Sequence, residues 1–271
     1  MNKSFFFNKT VLITGASTGI GLGVAQALLG KVSTLIITSR NKESLNHLLS
    51  QANDHKTACY AYKLNLENQI EVNEFTEQII KNHPNIDVLI LNAGISQRST
   101  FLETNIEVIR KIMEVNYFGN AIITQNLLPL LTKNKQSNIV IISSIVGKFG
   151  FYLRSAYSSS KHAILGLFET IRLENEKDGV NVNIIFPGII KTDISKNALN
   201  GDGSTYSQNS VAHDEGMDVK LCSEKILNAI VKNKKETYIG RKEILLVYFK
   251  RFLPFLFYQL VKKQNPDKTQ Q

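Results

Sequence analysis

Short runs of β-branched and aliphatic residues alternate along this chain with longer stretches in which apolar residues recur every three or four positions. The runs at Thr10–Thr14, Thr34–Ser39, Thr57–Leu64, Asp87–Leu91, Asn138–Ser143, Asn181–Phe186 and Glu236–Ile239 predict seven strands. Helix-length stretches lie between them, near 18–30, 42–53, 67–82, 103–132 and 155–178. The strand cores VLI, LII, VLIL and IVII are unbroken apolar runs, the pattern of strands covered on both faces in a parallel sheet. Repeated strand–helix–strand order implies right-handed crossovers. The expected architecture is therefore α/β, a single-domain, Rossmann-type, doubly wound parallel sheet of about seven strands with helices on both faces. It spans 1–241, and 242–271 form a tail. One polar stretch, 195–218, follows a strand's C-terminal end and contains NALNGDGSTYSQNS. Ligands bind at that edge of such sheets, so the stretch is expected to be a flap over a substrate.

The first strand runs directly into Gly15-Ala16-Ser17-Thr18-Gly19-Ile20-Gly21, which opens an apolar helix. Gly15 suits a tight turn. Gly19 lets backbone approach a phosphate, and Gly21 lets the helix pack closely on the strand. The helix N-terminus then offers free N–H groups and partial positive charge to a pyrophosphate. The second strand ends Ser39-Arg40, where dinucleotide sites that favour NAD carry an acid for the ribose 2′-hydroxyl. A guanidinium there suits a 2′-phosphate, so NADP(H) is the expected cofactor.

Tyr157 and Lys161 are four apart in a predicted helix and therefore share a face. A phenol has a pKa near 10. A neighbouring ammonium lowers it and poises the group for proton transfer. Ser144 closes the strand IVIISS at the edge where active sites form, and its hydroxyl could bond a substrate oxygen.

Charge changes the picture at one end. From Lys220 onward there are 12 Lys/Arg against 4 Asp/Glu, whereas residues 1–219 carry 20 against 19. The tail, KEILLVYFKRFLPFLFYQLVKK, interrupts its apolar run with Lys250, Arg251 and Pro254. That reads as two short segments rather than one spanning helix, either lying in a membrane interface or packed on the body. The dense aromatics favour lipid over nucleic acid, and no nucleic-acid motif occurs. The opening seven residues are too short for a secretory or spanning segment, so the expected location is the cytoplasm, with the tail as the point of any peripheral membrane contact. Cys59 and Cys222 read as free thiols, and the five histidines lack metal-ligand spacing, so no metal is expected.

Taken in order, the motifs resemble the short-chain dehydrogenase/reductase family from about Lys9 to Gly240. They are TGASTGIG at 14–21, Asn92-Ala93-Gly94, Asn116-Tyr-Phe-Gly, Ser144, Tyr157-x-x-x-Lys161 and Pro187-Gly188-Ile189-Ile190-Lys191-Thr192. SSIVGK and the basic aromatic tail look like the hydroxysteroid-dehydrogenase-like branch. The resemblance implies a tetrad of Asn116, Ser144, Tyr157 and Lys161. Tyr157 would exchange the proton and Ser144 would polarise the substrate oxygen. Lys161 would bind the nicotinamide ribose, and Asn116 would hold a water of a proton relay. It further implies that Asn92, Ala93 and Gly94 line the adenine-ribose side, while Pro187, Gly188, Ile190 and Thr192 cover the nicotinamide and phosphates. Asn65-Leu66 stands where the family commonly has an acid against the adenine; an amide can accept the same bond without charge assistance.

The implied activity interconverts a carbonyl and an alcohol on a small, hydrophobic, lipid-like substrate. It implies a homodimer or homotetramer through the long helices at 103–132 and 155–178. Reduction of 3-oxoacyl thioesters is a second reading, and a non-catalytic NADP(H)-binding sensor a third. NADPH is expected to outperform NADH in steady-state turnover; a strong preference for NADH would overturn the role given to Arg40.

Overall fold

The computed structural model describes residues 5–134, 136–208 and 215–265. Part of the expected flap, 209–214, and the last six residues of the tail lie outside these. Seven parallel strands form one sheet in the order β3-β2-β1-β4-β5-β6-β7. They are β1 (Thr10–Ile13), β2 (Thr34–Ser39), β3 (Ala58–Lys63), β4 (Val88–Leu91), β5 (Ser137–Ile142), β6 (Val180–Pro187) and β7 (Glu236–Ile239). The order reverses between β1 and β4, which opens a crevice at their C-terminal ends.

The unbroken apolar strands serve two cores because alternate residues point to opposite faces. Leu12, Ile36, Leu89, Ile139 and Ile184 face one core. It is covered by α3 (Gln69–Asn82), α5 (Gly119–Leu131) and α6 (Ser155–Glu174). Val11, Ile13, Ile37, Ile90 and Ile185 face the other. That side is covered by α1 (Gly19–Leu28), α2 (Asn46–Asp54) and α7 (Val219–Val231). β3 departs from the unbroken pattern because it is a sheet edge, and its side chains alternate between partly buried and exposed along most of its length.

The stretch expected as one helix at 103–132 is three pieces. α4 (Ile106–Met113) passes into a π-helical turn, Glu114–Phe118, and then into α5. A π turn holds one more residue than an α turn, which a search at the helical period does not register.

The tail is two helices, α8 (Leu245–Phe252) and α9 (Pro254–Lys262), broken at Leu253–Pro254 as the sequence pattern predicts. It docks on the body: Val247, Phe257 and Val261 join the first core, and the Phe257 ring meets Phe149 edge-on at 5.2 Å. Its other side leaves Phe252, Leu253, Phe255 and Tyr258 exposed. Among the described residues no helix is long and apolar enough to cross a membrane.

Truncating a buried phenylalanine removes burial and leaves a cavity. Phe257→Ala is expected to lower the unfolding free energy by about 3 kcal/mol. Phe255→Ala, 76% exposed, should shift it by no more than about 0.5 kcal/mol. Equal shifts in a denaturant titration would contradict this docking of α9.

Candidate active site

The crevice between β1 and β4 is held by a small set of bonds. Thr14 Oγ1 accepts from the amides of Asn92 and Ala93 at 3.0 and 3.1 Å. The Asn92 side-chain amide donates to the Thr14 and Gly15 carbonyls at 3.1 and 2.9 Å. Gly15 has φ +68°, and a Cβ on it would sit 2.9 Å from the Ala93 backbone. Gly19 has φ +57° and lies against the Thr192 side chain. Two glycines of the loop therefore need left-handed backbone. Gly21 is required for a different reason: a Cβ there would collide with the Gly15 carbonyl and Asn92.

The first turn of α1 contains no acidic residue, and its N-cap, Thr18, makes no side-chain capping bond. Helix N-termini normally satisfy those N–H groups. Bare donors at Ser17, Thr18, Gly19, Ile20 and Gly21 fit the pyrophosphate of a dinucleotide, while the Gly15 amide donates to Thr38 Oγ1 at 3.4 Å. Arg40 follows β2, is exposed and forms no salt bridge among the described residues. Ser39, buried beside it, shares a 3.1 Å hydrogen bond with Ser44. Asn65 already spends its side-chain oxygen on the Glu67 amide at 3.2 Å, and Leu66 is buried against Gly119. Ile189 donates to Glu243 at 2.9 Å and Gly188 to Ile239 at 2.7 Å. The Pro187–Thr192 segment is thereby tied to the base of the tail.

At the same edge, the structure brings Asn116, Ser144, Tyr157 and Lys161 together from three elements, Tyr157 and Lys161 sharing α6. Ser144 follows β5 and hydrogen-bonds the Tyr157 phenol. Its neighbour Ser143 instead points to the Lys161 carbonyl at 3.4 Å. The Lys161 ammonium lies 5.8 Å from the Tyr157 ring centre and donates to the Ile142 carbonyl at 2.9 Å. Asn116 sits within the π turn. It accepts from the Ile95 amide at 2.8 Å, and donates to the Ile95 carbonyl and the Ser160 hydroxyl at 2.9 Å each. A Cβ on Gly94 would stand 3.0 Å from the Asn116 oxygen, a tight approach, and 3.5 Å from Lys161 Nζ, an ordinary contact, so glycine gives these groups room. Gly94 thus lies beside the tetrad, while Asn92 acts as the brace of the glycine loop.

Burial governs the electrostatics. The Tyr157 phenol is pushed up from its ordinary value by desolvation, against which the Ser144 hydrogen bond and the Arg154 charge pull it down. The Tyr–Lys spacing predicts Lys161 in that second role; the neighbours that act are Ser144 and Arg154. Lys161 is itself pushed down to about 8 by burial.

A model of the short chain dehydrogenase family matches residues 9–202. The chain belongs to the short-chain dehydrogenase/reductase family. Members are nicotinamide-dependent oxidoreductases, as the helix N-terminus and crevice fit. Dehydrogenase/reductase SDR family member 7B of Xenopus laevis is 34% identical over 269 residues, covering 96% of this chain and 82% of that protein. Two solved structures share the fold. A Sphingobium yanoikuyae short-chain dehydrogenase in complex with NADPH has a TM-score of 0.74 at 24% identity, covering 85% and 87% of the two chains. A Burkholderia phymatum family member in complex with NAD has a TM-score of 0.76 at 18% identity, covering 86% and 89%.

Several site residues are not legible as motifs. Thr14, Ser160, Gln97, Arg154 and Glu243 are polar groups with hydrogen-bond partners far away in the chain. The first Thr of TGASTGIG and the serine run before Lys161 are the only sequence cues to two of them.

The lowered Lys161 pKa sets a pH dependence. Between about 8 and 10.5 the unfolded chain binds the proton that the folded site resists, so stability attributable to this group rises with pH there. Below pH 8 the full cost of the buried ammonium is present. Lys161→Met removes that cost, so its stability relative to wild type should fall by about 2 kcal/mol between pH 7 and 10. A pH-independent difference in urea titrations would show that the ammonium is not desolvated.

Proposed function

We propose that this chain is an NADP(H)-dependent oxidoreductase interconverting a carbonyl and an alcohol on a hydrophobic, lipid-like substrate, with Tyr157 as general acid/base. The observation that carries the reading is the Tyr157 phenol, buried, bonded by Ser144 and flanked by Lys161 at the mouth of the dinucleotide crevice. When bound, the nicotinamide supplies or accepts the hydride.

The chain's own residues then manage position and protons. The glycine loop and the bare end of α1 hold the pyrophosphate, and Arg40 pairs with a 2′-phosphate. The Ser144 hydroxyl holds the substrate oxygen against the phenol. In reduction, Tyr157 hands its proton to that oxygen, and burial keeps the phenol protonated until it is needed. Lys161 binds the ribose hydroxyls. Asn116, fixed by Ile95 and Ser160, keeps the π turn open for a water that returns the proton from solvent. The segment at 195–208 covers the substrate side. Leu199 bridges Gln97 on one side and Thr205 on the other, so this part is pinned rather than loose.

The tail extends the reading to a surface. Phe252, Leu253, Phe255 and Tyr258 stand exposed beside Lys250 and Arg251, an apolar and basic face suited to anionic lipid.

Tyr157→Phe is expected to abolish NADPH oxidation with every ketone while leaving NADPH affinity within about threefold, read by fluorescence titration. Retained turnover would reject the role of Tyr157. For the tail, Phe252→Ser with Phe255→Ser should release the protein from phosphatidylserine vesicles in flotation. Unchanged flotation would remove the lipid surface from the proposal.

A further inference from the structure

The substrate side of Tyr157 is walled by the loop after β4, the loop before α6 and the pinned segment at 195–208. Gln97 is fully buried where they meet. Its side-chain oxygen accepts from the Ala156 amide at 2.8 Å, and its nitrogen donates to Thr104 Oγ1 at 2.8 Å. This clamp carries two arginines. Arg154, the N-cap of α6, donates from its guanidinium to the Gln97 carbonyl. Arg98 lies 4.9 Å over the ring of Tyr206, and its amide donates to the Leu199 carbonyl at 2.8 Å. Leu153, immediately before Arg154, takes a left-handed φ of +58°, which leucine adopts only when its surroundings impose it.

The two guanidiniums are close enough that Arg98 helps to depress Arg154, and Arg154 in turn acts on Tyr157. Burial is the larger cause and brings Arg154 down to about 10. Neither arginine has an acidic partner within salt-bridge distance among the described residues. Of the acids in the adjoining segments, Glu103 accepts from Thr100 and Asp202 accepts from Ser204. By contrast, the half-buried Lys148 is matched by Glu236 at 2.9 Å. A cation withdrawn from water is ordinarily paired, so the desolvated Arg154 without an acid, with the half-buried Arg98 beside it, makes a site suited to an anion. Guanidinium is also the group best shaped to grip a carboxylate or phosphate.

We propose that Arg154 and Arg98 form a seat for an oxyanion on the substrate itself, so that the preferred substrate is an anionic carbonyl compound rather than a neutral one. This rests on Tyr157 being the acid/base group. The seat differs from the cofactor's phosphate contacts, which lie on the loops after β1 and β2. It couples to the chemistry in two ways. It holds the carbonyl at a set distance from the phenol, and a bound oxyanion offsets the like charges beside the tyrosine.

The test uses the full chain with NADPH and three ketones of one carbon skeleton, ending in a methyl ester, a carboxylate or a phosphate monoester. Wild type should turn over the charged ketones with kcat/KM about thirtyfold above the ester. The ratio of phosphate to carboxylate then identifies the oxyanion. Arg98→Gln should erase most of that preference while the ester's kcat/KM stays within about threefold. Arg154→Gln should lower both through its contact with Tyr157, the charged ketones at least tenfold more, and Arg154→Lys should restore part of the difference. NADPH affinity should not move in any variant. Equal kcat/KM for ester and charged ketones in wild type, or equal losses in the variants, would overturn the proposal. A second readout does not depend on turnover. Inorganic phosphate should raise the Tm of the NADPH complex of wild type more than that of Arg98→Gln. If no ketone is reduced but this shift is seen, the seat stands and the reading of Tyr157 fails; equal shifts sink the seat.

Discussion

Parallel strands deliver all their C-terminal ends to one edge, and where the order reverses between β1 and β4 two loops must part and leave a crevice. The crevice is kept in shape by the Thr14–Asn92 bonds, which fasten the glycine loop to the end of β4. Everything chemical in the molecule is referred to that junction. The loop's left-handed glycines turn the chain so that α1 points its uncapped end into the crevice. Ala93 blocks any side chain at Gly15, and Gly94 lets the next group of residues close in. Losing the junction would leave the glycine loop and the group of Asn116, Ser144, Tyr157 and Lys161 without a common frame.

The second requirement is to bring charge out of water without leaving it unsupported. Lys161 is held by the Ile142 carbonyl, and Tyr157 by Ser144. Asn116 is fixed by a π turn that breaks what would otherwise be one long helix. From that turn its side chain reaches Ser160 at 2.9 Å. Desolvation then raises the phenol and lowers the ammonium, which drives apart two groups whose ordinary values lie close together and favours the neutral form of each.

The tail and the 195–208 segment show how sequence character can serve two ends. Val247, Phe257 and Val261 are spent on the core, and Glu243 at the tail's base holds the backbone at Ile189. The remaining aromatics face outward. A segment that is both anchored and apolar on its free side ties the site's cover to whatever surface it meets. The polar segment opposite is fixed by Leu199 and carries Tyr206 to Arg98.

The sheet, its seven strands and the glycine loop were legible because they depend on local pattern: apolar runs of strand length, and glycines at turns that exclude Cβ. The tyrosine–lysine pair was legible because helical spacing alone puts both on one face. The break at Pro254 was written in the same local terms. The π turn under Asn116 was not, because one added residue leaves composition and period nearly unchanged. Nor was the balance at Tyr157. Its neighbours Ser144 and Arg154 are chosen by packing, and burial sets the sign of the shift. The pairing of Arg98 with Arg154 joins positions 56 residues apart. The sequence by itself determined which elements form and which reactive groups the chain carries. Only the tertiary structure decided which charges meet, which lose water and which are left without a counter-charge, because those energies depend on distance and solvent exclusion rather than on order along the chain.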